Sequence, residues 1–267
     1  MRYIFVLNVL TSHLCLAQTD KFHKKGDFFF YWGWNRSAYT NSDIHFSGDD
    51  YRFTLDNVKA QDRQSNFGLY NYFHPLRITI PQFNARVGYF ITDCYSLSFG
   101  VDHMKYVVDN LQSVHISGDI ENSLTHYDGY YQAFPIELKD GFLRFEHTDG
   151  LNYINFELRK TDKWKERGVF TLSIEKGVGL GVMLPKTNVT LLNKPRHDDF
   201  HLSGYGVSAV FALQLNNKNN YFIQTEAKSG FINMLDIRTT NNLADRASQH
   251  FFFIQANLVF GYRFNVN

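Results

Sequence analysis

The most constraining feature of this chain is strict period-two alternation, repeated in segment after segment. Successive side chains of a strand point to opposite faces, so such a pattern reads as β-strand and not as helix. Within 81–91, Pro81, Phe83, Ala85, Val87, Tyr89 and Ile91 share one face, and Gln82, Asn84, Arg86 and Gly88 the other. After Thr92-Asp93-Cys94 the pattern resumes, with Leu97, Phe99 and Val101 against Ser98, Gly100 and Asp102. Across 170–182, Phe170, Leu172, Ile174, Val178, Leu180 and Val182 oppose Thr171, Ser173, Glu175, Gly177, Gly179 and Gly181; Lys176 interrupts the apolar row. Near the end, Ile254, Ala256, Leu258, Phe260, Tyr262 and Phe264 oppose Gln255, Asn257, Gly261 and Arg263.

Alternation alone does not separate a soluble sandwich from a membrane barrel. The contents of the polar face do. Here it holds Gly, Gln, Asn and isolated charges of both signs: Arg86, Asp102, Glu157, Arg159, Glu175, Glu226, Lys228 and Arg263. Glycine and paired charges suit the crowded interior of a small barrel whose apolar face is turned to lipid. The reading is therefore an all-β, up-and-down, antiparallel transmembrane β-barrel in the outer membrane of a Gram-negative cell. Eight strands are expected, at 27–36, 77–91, 95–108, 142–159, 168–182, 204–215, 221–233 and 250–264. Short periplasmic turns (92–94, 160–167, 216–220) alternate with long extracellular loops (37–76, 109–141, 183–203, 234–249), the asymmetry of such barrels. Two strand-like pieces in the first long loop, 43–48 and 51–58, form an extracellular hairpin or else raise the count to ten.

The remaining composition narrows the alternatives. With 27 Lys+Arg against 26 Asp+Glu, the chain lacks the basic excess of a nucleic-acid binder. Beyond the first segment it has no run of roughly 18 apolar residues, so it is not a helical membrane protein. Met1-Arg2, an apolar stretch over 3–16, and small residues at Cys15 and Ala17 read as a secretory signal peptide cleaved after Ala17. Residues 18–267 then form a single barrel domain whose one cysteine, Cys94, has no intrachain partner for a disulfide.

Four constellations bear on chemistry. The eight polar-face charges are expected to share the lumen and to pair, because unpaired charges there are costly. Across the 92–94 hairpin, Arg86 and Asp102 fall within diagonal reach. His103, His147, His201 and His250 lie near the extracellular strand ends; their spacing matches no metal motif, and neither metal nor cofactor is expected. Asp199, His201 and Ser203 continue the parity of Tyr205, Val207 and Ala209, so all three are expected to face lipid at the outer rim. Finally, roughly 100 residues lie outside the expected spans, more than simple turns need, which points to a folded extracellular cap.

Two resemblances follow from these residues. The phrases 102–107 (Asp-His-Met-Lys-Tyr-Val), 145–153 (Phe-Glu-His-Thr-Asp-Gly-Leu-Asn-Tyr), 203–209 (Ser-Gly-Tyr-Gly-Val-Ser-Ala) and 247–253 (Ala-Ser-Gln-His-Phe-Phe-Phe) resemble an outer-membrane barrel family of Bacteroidota-type Gram-negative bacteria. That resemblance implies fold and location and no activity. The His201-x-Ser203 pair is similar to the arrangement in outer-membrane lipid A deacylases, where Ser attacks an ester and His takes its proton. In that pattern the acid comes from the neighbouring strand; the outward set Ile223, Thr225, Ala227, Ser229 and Phe231 contains none, so Asp199 would have to serve. The leading expectation is a non-enzymatic envelope protein with a side-chain-filled lumen. It would contact outer-membrane lipid and lipopolysaccharide, and an envelope protein partner, but not nucleic acid. A lipid esterase and a small gated channel are the alternatives.

Overall fold

The structure is a computed structural model, which describes residues 23–74, 76–77 and 80–266; the signal peptide expected at 1–17 lies outside them. In chain order the elements are β1 (Phe28–Tyr39), β2 (Ser42–Ser47), β3 (Tyr51–Val58), β4 (Ala60–Gln61), α1 (Leu69–Phe73), β5 (Phe83–Phe90), β6 (Tyr95–Val108) and β7 (Ser113–Ile120). They continue with β8 (Gly129–Glu137), β9 (Leu143–Arg167), β10 (Phe170–Met183), β11 (Asn188–Leu191), β12 (Gly204–Asn217), β13 (Tyr221–Arg238) and β14 (Arg246–Phe264).

Eight of these strands pair in a ring. β1 is hydrogen-bonded to β5 on one side and to β14 on the other, and the path between them runs β5-β6-β9-β10-β12-β13-β14, antiparallel at every step. The register measures the stagger of that ring. Stepping across partners from Lys163 leads through Ser173, Gln214, Gln224, Val259, Gly33, Asn84 and Asp102 back to β9 at Tyr153, ten residues from the start. With a rise of about 3.3 Å per residue and about 4.8 Å between strands, that stagger tilts the strands by about 40°. Side chains from distant strands thereby meet across the interior.

β14 shows how the chemistry is arranged along the axis. Its outward residues from the C-terminal end are Phe264, Tyr262, Phe260, Leu258, Ala256, Ile254 and Phe252, then His250, Ser248 and Arg246; its inward residues are Arg263, Gly261, Val259, Asn257 and Gln255, then Phe253, Phe251, Gln249 and Ala247. Parity never changes, but polarity changes sides at Phe251-Phe252-Phe253. Below that level the outside is apolar and the interior polar; above it the outside is polar and the interior mainly apolar. Above that level the apolar side chains are withdrawn from solvent into the interior, whereas below it they line the outside.

The long connections build on the upper half. β2 pairs with the top of β14, and β3, β7 and β8 continue the sheet from it. β11 pairs with the top of β9, and β4 with the top of β6. Together they enclose a buried apolar core that includes Ile44, Phe46, Phe53, Leu55, Ile116, Phe142, Phe145 and Met234. The pieces at 43–48 and 51–58 are thus the β2–β3 hairpin, placed above the ring and not inserted into it. A smaller aromatic cluster of Phe29, Tyr31, Phe90, Phe222 and Val259 closes the opposite end.

Several expected boundaries moved, and the two largest shifts have plain causes. The strand expected from 77 starts only at Phe83, because Pro81 has no N–H to give to a ladder. Conversely, 160–167 is strand and not turn: β9 runs to Arg167, and Gly168, at a positive φ of 62°, makes the reversal into β10 at Phe170. Beyond the buried Thr161, that part of the hairpin is open to solvent on both faces, so no alternation marks it in the sequence.

Candidate functional site

All eight polar-face charges are buried inside the ring, four cations and four carboxylates. Arg159, on β9, is the hub. Its Nη2 lies 2.6 Å from Glu157 Oε2, and its Nη1 3.1 Å from Glu175 Oε2 and 2.6 Å from Glu226 Oε1. It also donates to the Tyr31 hydroxyl at 2.9 Å, although β1 and β9 are not neighbours in the ring. Arg86 approaches the same centre from β5, with Nη2 2.9 Å from Glu157 Oε1 and 2.7 Å from Asn155 Oδ1. Its Nη2 is 3.9 Å from Asp102 Oδ1. Lys228 Nζ spans Asp102 Oδ2 at 2.6 Å and Glu157 Oε1 at 2.8 Å. Arg263, lower down, donates to Asn216.

Neutral polar groups complete the lattice. Gln224 and Asn257 donate to the two oxygens of Glu226 at 2.6 and 2.7 Å, and Gln214 donates to Glu175 at 3.1 Å. Asn84 bridges Asn35 and Asp102. Two glycines make room for the arginine side chains. A Cβ at Gly177 would sit 2.7 Å from Arg159 Cγ, and one at Gly100 3.0 Å from Arg86 Cζ. Buried charges are tolerated when they are paired and hydrogen-bonded, and this arrangement does both. A cavity lined by Glu175, Gln214, Gln224 and Arg263 at the lower end holds only about 10 Å³, at most a single water.

The residues at the outer rim are arranged differently from the expected relay. Asp199 is exposed, and Ser203, expected to face lipid, is 2 % exposed with its hydroxyl donating to the backbone carbonyl of His201 at 3.2 Å. Residues 201–203 precede β12 and are not strand, so the parity of Tyr205 does not extend back to them. The His201 ring meets Asp236 instead, Nε2 to Oδ2 at 2.8 Å, with Arg238 Nε and Arg246 Nε each 4.0 Å from that carboxylate. The acid does therefore come from the neighbouring strand, above the outward set that ends at Phe231. A register shift between Met234 and Ile237 turns Asp236 toward His201, and simple parity misses it.

The other three rim histidines stand apart. His103 Nδ1 is 2.7 Å from Asn152 Oδ1 and its ring stacks on Phe83; His250 lies against Phe231. Among the described residues no three His, Cys, Asp or Glu side chains gather in metal-binding geometry. His147 is fully buried in the cap between Tyr106 and Phe145, with Nδ1 3.0 Å from Thr187 Oγ1 and Nε2 meeting no hydrogen-bond partner among the described residues. Burial pushes its pKa down to about 3.

An acid-sensitive cap follows from that shift. The unfolded chain takes up the proton near pH ~6.5, whereas the folded cap refuses it down to about 3. His147 therefore adds no destabilisation above the unfolded value. As pH falls through the window between the two, stability declines by up to about 1.4 kcal/mol per unit. His147→Gln is expected to flatten this part of the stability profile, measured by urea unfolding of both proteins between pH 7 and pH 4. Identical slopes would dismiss the assignment.

No family model matches the chain, and no curated protein matches it. Solved structures do show similarity. The outer membrane protein AlkL, determined by solid-state NMR in DMPC lipid bilayers, aligns over 94 % of this chain and 95 % of its own, at 11 % identity and a TM-score of 0.42. OprG of Pseudomonas aeruginosa, an outer membrane protein, aligns over 92 % and 99 % at 11 % identity and a TM-score of 0.41. Ail, the attachment invasion locus protein of Yersinia pestis, aligns over 90 % and 99 % at 10 % identity and a TM-score of 0.29. At such scores no family assignment follows.

Proposed function

We propose that the chain is an eight-stranded transmembrane β-barrel of the outer membrane, non-enzymatic, with a sealed lumen and a structural or partner-binding role at the cell surface. The observation that carries this is the division of the ring's two faces. Val178, Leu180 and Phe156 stand 61, 63 and 57 % exposed on the outside, while Arg159, Glu226 and Lys228 are buried within. A water-soluble protein has no reason to bury its ions and display its aliphatic rows; a lipid-embedded barrel must.

Three layers support a closed interior: the aromatic cluster at the lower end, the ionic lattice at mid-height and the apolar core of the cap. Pure protein in a planar bilayer is expected to give no stable conductance steps. Reproducible large steps would remove the sealed-lumen reading and favour the channel. The esterase alternative lacks an accessible nucleophile at Ser203. A partner role draws support from the cap. β8 ends the sheet path and presents Tyr130 and Phe134 to solvent, large rings of the kind enriched at interfaces.

A further inference from the structure

The connection between β4 and β5 leaves an unusual feature on the outside of the ring. α1 lies against the outer wall, where Tyr72 and Phe73 meet the indole of Trp34 at 5.7 and 5.2 Å between ring centroids. Between this helix and the β1–β14 ladder is a crevice of about 400 Å³. Its floor is the ladder at Trp34↔Leu258 and Arg36↔Ala256, whose side chains face outward; Phe67 and Phe73 form its roof. The surface that lines it is mostly apolar, and it opens onto the wall that the barrel reading places in lipid.

The rim of the crevice is basic. Arg36 donates from Nη2 to the Tyr72 hydroxyl at 2.8 Å and from Nη1 to the Asn35 carbonyl at 2.9 Å, which uses two of the five N–H groups of its guanidinium. Lys105 reaches the Ile80 carbonyl at 3.0 Å. The Asp62 carboxylate, near Arg36 and Lys105, is already engaged by the Ser37 amide at 3.0 Å and by Gln82. Arg36 lines the crevice itself, with Lys105 and Asp62 nearby, so the cation that meets the slot is Arg36. Trp34 stands six positions along β1 from Phe28 at the lower end, so the crevice falls in the outer half of the apolar band. An apolar slot there beneath a positive rim matches one kind of molecule: a lipid with acyl chains below and a phosphate above.

We infer that this crevice holds one acyl chain of a phosphorylated outer-leaflet lipid, with the lipid phosphate at Arg36. This rests on the barrel reading above and names a lipid site on it. The 400 Å³ volume suits a single chain and is too small for a folded partner.

Tryptophan quenching tests it, because only Trp32, Trp34 and Trp164 occur in the chain. In the Trp32→Phe/Trp164→Phe protein, held in dodecyl maltoside micelles, phosphatidylglycerol brominated in mid-chain is expected to quench Trp34 saturably at one lipid per protein. Brominated diacylglycerol, which lacks the phosphate, and inorganic phosphate alone are expected not to. Arg36→Gln should weaken the phosphatidylglycerol response about ten-fold, and Ala256→Phe, which fills the slot from the lipid-facing side, should abolish it. Quenching that rises linearly without saturation, or that is equal for diacylglycerol, or that is unchanged in the arginine variant, would overturn the site. A Trp34→Phe/Trp164→Phe protein in vesicles of brominated lipid separates the two readings. Quenching of Trp32, which faces outward below the crevice, is required by the barrel itself, and its absence would overturn the barrel and not merely the lipid site.

Discussion

Replacing Arg159 with Met is expected to cost the folded protein about 3–5 kcal/mol, because it breaks a buried ionic lattice and leaves carboxylates behind. Glu157 would keep Arg86 and Lys228, at 2.9 and 2.8 Å. Glu226 would keep neutral donors, the amides of Gln224 and Asn257 and the Tyr31 hydroxyl, and Glu175 neutral ones such as Gln214 and Thr161. Both carboxylates would then have to bind protons or draw in water. Reversible urea unfolding from lipid vesicles measures the loss. The double variant Arg159→Met/Glu226→Gln should recover part of it, since neutralising one stranded carboxylate removes part of the penalty; coupling between such neighbours is on the order of 0.5–3 kcal/mol. A single variant as stable as the wild type would show that these charges are hydrated and that the interior is not sealed.

The second large effect lies on the opposite face of the wall. Val178 sits about halfway along β10's outward row, with Leu158 and Ala209 beside it in the register. Val178→Arg is expected to destabilise the vesicle-embedded protein by about 2–4 kcal/mol, the cost of a guanidinium near the bilayer midplane. Asn219→Arg, in the exposed turn between β12 and β13, should change stability by less than about 0.5 kcal/mol. The contrast matters more than either value. On a water-soluble protein an arginine at an exposed valine is harmless, so a neutral Val178→Arg would reverse the assignment of inside and outside.

Arg159 and Val178 also mark what alternation makes legible. Their faces follow from residue parity, and parity is local: a strand cannot rotate one side chain without rotating all of them. The same reasoning sorted all eight interior charges by sequence alone, and placed Arg86 beside Asp102 because one tight turn fixes that register. Where the backbone slips, parity fails. Ser203 lies outside β12, and Asp236 lies in a register shift, so the expected relay of Asp199, His201 and Ser203 gave way to a His201–Asp236 pair. The cap core also escaped notice. Its signal was present in Phe251-Phe252-Phe253, where alternation of polarity lapses because the inward and outward rows exchange character while the strand's geometry stays the same.

The amino-acid order by itself thus determined which side chains look outward and which inward, and therefore that a polar interior and an apolar exterior coexist below the cap. Only the tertiary structure decided who meets whom: Arg159 with Tyr31 and Glu226, Lys228 with Asp102, α1 with Trp34. The physical reason is the stagger of the ring. Facing is set within one strand, whereas contact across the lumen depends on a ten-residue offset accumulated over every pairing in the circuit, and no local stretch of chain records that total.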